Sequence, residues 1–231
     1  IGTISAGTPV NVLEYKHSSE KHTEWFRIKT QDGREGWIWG ALSVEPSGNL
    51  GYNLMRYDFH LVGKKVNEFT IFTPLNKTQA NVTARQINDF IDYKVKDDSL
   101  MKGMGEAYLL ASVESGLNPI YLVAHSALET GWGTSVINKT KYNYYGIGAI
   151  DSNPVQGAYT FDSPEGGIVA GAIWISKYYT NRNSGYSPYP QPTLDSMRHN
   201  GGLHQYATDY SWHVKIANIA QEFIDFIKKN Y

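Results

Sequence analysis

The chain has 231 residues, with 21 basic and 22 acidic side chains and a formal net charge of −1 at pH 7; this length suffices for one large domain, or for a small module followed by a medium-sized one. The near balance of charge excludes the strongly basic surface with which proteins bind nucleic acids or anionic membranes. The absence of cysteine excludes thiol catalysis, cysteine-ligated zinc and disulfide bonds.

Aromatic residues are abundant, whereas apolar stretches are short. Seventeen Tyr, six Trp and eight Phe suit flat contacts with sugar rings, although ordinary core packing uses the same residues. The longest apolar stretch, residues 166–175, is interrupted by glycine and is much shorter than the roughly 20 residues that cross a bilayer. We therefore expect neither membrane insertion nor a nucleic-acid partner.

Residues 1–46 are predicted to form a small all-β module. Two strand-like runs, at 9–15 and 25–29, precede the turn and strand sequence DGREGWI at 32–38. The combination WFRIK…DGREGWI resembles bacterial Src-homology-3-like wall-binding modules, in which Gly-Trp leads into the last strand. The resemblance implies a barrel-like fold, of which we expect only part, because the family's usual first strand and loop would precede this sequence. A β cap on the next domain is the alternative.

Residues 47–99 are predicted to form an extended lead-in that ends in a helix. The turn-rich residues 45–49 mark the boundary. An amphipathic pattern begins near residue 84, with Asn81 or Thr83 as its cap.

Residues 100–231 are predicted to form a mainly helical domain. Residues 138–161 are rich in Gly, Asn and Tyr, and we expect them to form a small β or loop lobe over a helical base. Helices are predicted at 101–115, at 119–130, at 164–179 and from about 211 to the end of the sequence.

One glutamate occupies an unusual place in the sequence AHSALETGWGTS at 124–135. Asn118 and Pro119 start its helix, as a cap and a first-turn proline, and an apolar stripe begins at Ile120. Glu129 follows Ile120 by nine residues, which at about 100° per residue places it half a turn away. We expect Glu129 to point away from the apolar stripe, at the C-terminal end of the helix.

Three local features favour the protonated form of Glu129. The negative end of the helix dipole disfavours a carboxylate there, Trp132 offers an apolar wall, and the apolar helix predicts burial. Gly131 is placed to end the helix. Because a general acid must hold its proton at neutral pH, Glu129 is a candidate acid. The alternative is a surface glutamate paired with Lys139 or Lys141.

Three motifs in order carry a resemblance to a known enzyme family. They are NPIYLVAHSALETGWGTS at 118–135, YNYYGIGAID at 142–151 and YATDYSW at 206–212. Together they resemble the bacterial endo-β-N-acetylglucosaminidases of glycoside hydrolase family 73, the autolysins. The resemblance implies an α+β, lysozyme-like fold with a small β-lobe. It also implies that Glu129 is the general acid for cleavage of the N-acetylglucosaminyl-β-1,4-N-acetylmuramyl bond of peptidoglycan.

The same resemblance implies further catalytic residues. The tyrosine of the YATD motif lies near the cleavage site in the family and corresponds to Tyr206, with Tyr210 as the alternative. The family's second acid comes from the lobe after GIGA, where Asp151 is the first acidic residue; Asp162 fits a turn, and Glu165 fits a helix N-terminus. A second route needs no such carboxylate, because the N-acetyl group of the substrate can itself attack the anomeric carbon.

Residues close to these motifs are predicted to bind the glycan. Aromatic rings can stack on sugar faces, and glycine permits close approach of the backbone to a substrate. The predicted substrate-binding residues are Trp132, Tyr144, Tyr145, Gly146 and Tyr210.

Three other functions stay open. A muramidase or lytic transglycosylase would share the fold and the single glutamate, and a wall-binding protein without activity would rely on residues 1–46. A zinc amidase would need His199, His204 and His213 with an aspartate such as Asp195 or Asp209, but these residues lack a known ligand spacing.

We expect a secreted monomer that acts on the glycan strands of the bacterial cell wall. No metal and no organic cofactor is implied.

Overall fold

The computed structural model describes residues 10–18, 23–40, 60–61, 69–76, 82–95, 98–149, 154–180, 192–199 and 205–231. Strands occupy the N-terminal part of these ranges and helices the remainder. The four strands are β1 (Val10–Ser18), β2 (Thr23–Thr30), β3 (Glu35–Gly40) and β4 (His60–Leu61). The α+β class predicted from the sequence is confirmed.

The strands form one sheet in the order β3-β2-β1-β4. Antiparallel pairs join β1 to β2 and β2 to β3, whereas β4 runs parallel to β1. Phe26 and Ile28 alternate towards one face and are 4% and 3% exposed, as the period of two in a strand requires. The ring of Phe26 lies 5.7 Å from that of Phe72, so this face is covered by the segment that follows the sheet.

The helices begin and end close to the predicted positions. The predicted helix at 101–115 starts only at Gly105, because residues 101–104 form a turn around Gly103, whose φ is +74°. The helices are α1 (Ala84–Lys94), α2 (Gly105–Ser115), α3 (Pro119–Thr130), α4 (Val136–Lys141), α5 (Pro154–Gly157), α6 (Pro164–Ile175), α7 (Leu194–His199) and α8 (Trp212–Asn230), and a π-helical turn, Ser176–Thr180, continues α6.

Side-chain caps explain where three helices start. Thr83 and Gln86 form a capping box on α1, the side chain of Asn118 accepts from two N–H groups of α3, and Ser163 accepts from Gly166 at the start of α6. Each cap contributes about 1 kcal/mol to stability. The capping box confirms that Thr83, rather than Asn81, is the cap of the first helix.

Helix α3 is buried on all sides, which differs from the predicted pattern of one apolar stripe. His125 and Ser126 lie on the face expected to turn away from that stripe, yet both are 0% exposed. Two of their polar atoms have partners inside the protein: the Ser126 and Tyr108 hydroxyls lie 2.6 Å apart, and His125 Nδ1 lies 2.9 Å from the Tyr121 hydroxyl. Glu129 therefore continues a buried polar face.

The lobe expected at residues 138–161 takes the loop form. Its described parts, 138–149 and 154–161, contain loops, the end of α4 and all of α5, but no strand. Across the described ranges, helices that combine the length and apolarity needed to cross a membrane are absent.

Candidate active site

Glu129 lies in the last turn of α3, and its side chain is 21% exposed. Gly131, Trp132 and Gly133 follow with φ values of +54°, +62° and +77°, so three consecutive residues adopt the left-handed conformation that ends a helix sharply. A non-glycine residue in this conformation costs on the order of 1 kcal/mol. The turn is held by Thr130, whose hydroxyl accepts from the N–H of Gly133 at 2.7 Å. The end of α3 is thereby fixed.

Trp212 binds one oxygen of the carboxyl group of Glu129. Its indole Nε1–H donates to Oε1 of Glu129 over 2.7 Å. Trp212 is the first residue of α8 and is 3% exposed. Because an indole N–H can only donate, Oε1 acts as the acceptor oxygen of Glu129.

Gly146 lies against the other oxygen of Glu129. A Cβ added to Gly146 would lie 2.7 Å from Oε2, and the φ of this residue is +66°. Both the space and the backbone conformation therefore require glycine. The sequence predicts a close approach of this glycine to the substrate; in the structure Gly146 lies against the carboxyl group of Glu129.

Asn143 holds the loop that carries Gly146. Its Oδ1 accepts from the N–H groups of Tyr145 and Ile147, at 3.3 and 3.1 Å, while its Nδ2 donates to the carbonyls of Ile147 and Tyr159, at 2.8 and 3.1 Å. Asn143 is 1% exposed. Sequence reasoning missed this role, although an asparagine in a glycine-rich loop is a typical sign of side-chain to backbone bonding.

Tyr206 supports both Trp212 and the Gly146 loop. Its hydroxyl donates to the carbonyl of Tyr145 over 2.6 Å, and its ring is stacked on Trp212 with centroids 4.9 Å apart. Burial and the nearby Glu129 carboxylate raise the pKa of the Tyr206 hydroxyl well above its usual range, so it stays a donor. The structure thus brings Tyr206 into the same cluster as Glu129.

Tyr144 and Tyr145 lie inside the core, with both side chains 0% exposed. The hydroxyl of Tyr144 donates to the carbonyl of Leu100 over 2.7 Å, and burial raises the pKa of this hydroxyl. The ring of Tyr145 meets His125 edge-on, with centroids 5.4 Å apart. Stacking on a sugar, as expected from the sequence, requires an exposed ring face; burial gives these rings a structural role instead.

Trp132 and Tyr210, which the sequence also predicts to bind substrate, pack against side chains of the protein. The half-buried Trp132 ring meets Phe90 of α1 edge-on at 5.8 Å, and the ammonium of Lys94 lies 5.3 Å from its centroid. Trp212, rather than Trp132, supplies the indole beside Glu129. Tyr210 is half-buried beneath the guanidinium of Arg198 at 4.9 Å.

Arg198 is a further residue that sequence reasoning missed. It is 2% exposed, and it donates to the carbonyls of Asp209 and Thr208 and to Oε1 of Gln205, at 2.9, 3.3 and 2.6 Å. These bonds hold the segment that carries Tyr206.

The structure describes two of the three candidate second acids. Asp151 lies outside the described residues. Asp162 and Glu165 are both exposed, and Glu165 lies in the first turn of α6, where the helix dipole stabilises its charge.

The structure describes only part of the alternative zinc site. His204 and the side chain of His199 lie outside the described part of the structure, whereas His213 is fully buried on α8. Within the described ranges, no group of three or more His, Asp or Glu side chains is placed to hold a metal ion.

Comparison with known proteins assigns the family. Residues 105–225 match the glucosaminidase family, described as mannosyl-glycoprotein endo-β-N-acetylglucosaminidase. The chain belongs to the glucosaminidase family. Residues 1–43 match the bacterial SH3 domain family. Both families agree with the resemblances read from the sequence.

Two relatives of this chain are named as an endo-β-N-acetylglucosaminidase and as an autolysin. A putative endo-β-N-acetylglucosaminidase of Streptococcus pneumoniae is 32% identical over 160 residues, which are 69% of this chain and 23% of the relative. A bifunctional autolysin of Staphylococcus aureus is 32% identical over 180 residues, covering 68% of this chain and 14% of the relative. The chain thus spans less than a quarter of the length of these two relatives.

A solved structure supports the fold of this chain. It is a catalytic glutamate-to-alanine mutant of Staphylococcus aureus autolysin E in complex with the disaccharide NAG-NAM. It matches with a TM-score of 0.58 at 22% identity, covering 92% of this chain and 93% of that one. The lysozyme-like fold expected from the sequence is confirmed by this likeness.

Proposed function

We propose that this glucosaminidase hydrolyses peptidoglycan at the N-acetylglucosaminyl-β-1,4-N-acetylmuramyl bond, with Glu129 as the general acid. The observation that carries this proposal is the state of the Glu129 carboxyl group: Trp212 holds Oε1, while Oε2 faces the Gly146 loop. The family match over residues 105–225 supports it. The NAG-NAM disaccharide bound to the autolysin E mutant supports the choice of substrate.

The two oxygens of Glu129 have different roles in this reaction. Oε1 accepts the indole N–H of Trp212, so the acidic proton resides on Oε2. From there it passes to the glycosidic oxygen as the bond to the anomeric carbon breaks. General acid catalysis of this kind contributes about 10²- to 10⁴-fold to the rate.

Asp151 is proposed as the group opposite Glu129. It follows, one residue on, the GIGA sequence at 146–149 of the loop that Asn143 and Tyr206 hold in place. As a general base it would activate water, and an inverting pair of carboxyl groups lies about 6.5–9.5 Å apart. Attack by the substrate's own N-acetyl group is the other route, and it predicts that Asp151→Asn keeps most of the activity.

Tyr206 is proposed to act through the structure around the acid. Its hydroxyl donates a hydrogen bond to the Tyr145 carbonyl, and its ring stacks on Trp212. Tyr206 therefore holds the Gly146 loop and Trp212, which lie on the two sides of the Glu129 carboxyl group. Tyr144 and Tyr145 support the same loop from the core, and Gly146, Trp132 and Tyr210 remain proposed substrate contacts.

Digestion of purified bacterial cell walls tests the reaction. The wild-type chain should release fragments with N-acetylglucosamine at the reducing end, as identified by mass spectrometry, and Glu129→Gln should release none. Reducing-end N-acetylmuramic acid would instead identify a muramidase, and its anhydro form a lytic transglycosylase. Wall binding without any fragment release would leave only a binding function.

The organisation and setting of the protein are proposed as follows. An SH3-like module spans residues 1–46, a lead-in spans 47–99 and the catalytic domain spans 100–231; the matches at 1–43 and 105–225 support this division. The protein acts as a secreted monomer on wall glycan, without metal or cofactor. Light scattering tests the monomer, and activity in the presence of a chelator tests the independence from metal.

A further inference from the structure

A histidine that the proposed reaction does not use lies one helical turn before Glu129. His125 is 0% exposed. Aromatic rings surround its imidazole, with centroid distances of 5.3, 5.4, 4.7 and 5.1 Å to Tyr121, Tyr145, Tyr206 and Trp212. Water has no direct access to this ring.

Tyr121 determines which nitrogen of His125 carries the proton. The Tyr121 hydroxyl lies 2.9 Å from His125 Nδ1 and 3.5 Å from the sulfur of Met197. A phenol has one proton to donate, and an imidazole nitrogen is both the nearer and the stronger acceptor. Nδ1 therefore accepts from Tyr121. Burial lowers the pKa of His125, so the ring is neutral at pH 7 and its single N–H is on Nε2.

The Nε2–H group of His125 faces the carboxyl group of Glu129. Nε2 lies 3.6 Å from Oε1 of Glu129, and it has no hydrogen-bond partner within the described part of the chain. This distance is slightly longer than a hydrogen bond, as is common at catalytic groups before a substrate is bound. Oε1 is the oxygen that already accepts from Trp212. Two N–H groups thus converge on one oxygen of the acid.

We propose that His125 is a positioning residue for Glu129. Its neutral Nε2–H, fixed by Tyr121, acts with Trp212 to keep Oε1 an acceptor and the acidic proton on Oε2. After the proton has passed to the glycosidic oxygen, both N–H groups stabilise the carboxylate that remains. The titratable groups around His125 are Tyr121 and Glu129 on its own helix, Tyr145 on the loop and Tyr206 before α8. This inference rests on the proposed function.

Two substitutions separate positioning from packing. Gln at position 125 keeps an N–H donor and an acceptor, whereas Phe keeps a ring and loses both. We expect His125→Phe to lower kcat about 10- to 100-fold, the range for one hydrogen bond to a charged group, with KM unchanged. His125→Gln should stay within about threefold of wild type, since the donor is retained.

The opposite results would overturn the proposal. Equal loss of kcat in both variants, at equal Tm, would show that His125 only fills space. A wild-type kcat in His125→Phe would show that it has no role in the reaction.

A second measurement does not depend on activity. In the ¹⁵N spectrum of the imidazole groups of the full chain, His125 should be protonated on Nε2 and not on Nδ1, and its Nε2–H signal should shift in Glu129→Gln. The signal is assigned by its loss in His125→Gln. Protonation on Nδ1, or an Nε2–H signal insensitive to Glu129→Gln, contradicts the proposal. If wall digestion fails while these signals behave as expected, the proposed reaction fails and the contact stands.

Discussion

The indole N–H of Trp212 donates to Oε1 of Glu129 over 2.7 Å, and this bond joins residues 83 positions apart in the sequence. It connects the first residue of α8 to the last turn of α3. The bond fixes the carboxyl group in one rotamer and distinguishes its two oxygens. The proposed reaction depends on this distinction.

Replacing Trp212 by Phe tests that bond directly. The ring and its packing on Tyr206 are retained, but the donor is lost. We expect kcat on wall glycan to fall about 10- to 100-fold, since one hydrogen bond to a charged group is removed. Trp174→Phe is the matched control, because this half-buried ring packs on Tyr178 and Tyr179. Comparable losses in both variants would indicate a general effect of removing an indole.

Gly146→Ala is expected to abolish most of the activity. The new methyl group would lie 2.7 Å from Oε2 of Glu129, and the carboxyl group would have to leave its position. A displacement of about 1 Å at a reacting group can cost roughly 10²-fold in rate. The assay is kcat/KM on purified walls.

Gly116→Ala is the control for the backbone effect of that substitution. Gly116 has a φ of +71°, close to that of Gly146, but nothing lies within 4 Å of an added Cβ. Gly116→Ala should lose about 1–2 kcal/mol of unfolding free energy, measured by urea denaturation, and Gly146→Ala should lose at least as much. Only Gly146→Ala should lose activity; equal activity of the two would mean that Oε2 does not need its present position.

Asn143→Ala is expected to destabilise the protein and its site together. Four hydrogen bonds to the loop backbone disappear, and the freed buried groups cost about 2–4 kcal/mol in total. We expect a lower Tm and a lower kcat, because Gly146 loses its support. Asn230→Ala removes one exposed bond to the Phe226 carbonyl and should change neither by much. A normal Tm for Asn143→Ala would contradict the role assigned to Asn143.

The stability of the protein should depend on pH through His125. Burial lowers its pKa in the folded state below the usual 6.5, so below pH 6.5 the unfolded chain binds more protons than the folded one. The unfolding free energy therefore falls as pH decreases from about 6.5 towards the folded pKa, by at most about 1.4 kcal/mol per pH unit. His125→Gln should remove this part of the decline. Denaturation curves at pH 7.5 and 5.5 give the unfolding free energy at each pH. An equal decline of the unfolding free energy in the wild type and in His125→Gln would contradict this prediction.

The sequence by itself determined the local structure around the acid. The Asn118–Pro119 start predicts the first turn of α3, Gly131 predicts its end, and counting residues along the helix places Glu129 in its last turn; all of these are present. Caps and helix-ending glycines act within a few residues, so they can be read from the sequence. The motifs around Glu129 also indicated the family.

Only the tertiary structure decided what surrounds Glu129. Periodicity shows which residues share a face of α3, but not what packs on that face, so the burial of His125 and the choice of Trp212 over Trp132 were not predictable. Tyr206 reaches the Tyr145 carbonyl across 61 positions. Such partners are selected by the packing of whole helices and loops, since close packing involves residues far apart in sequence.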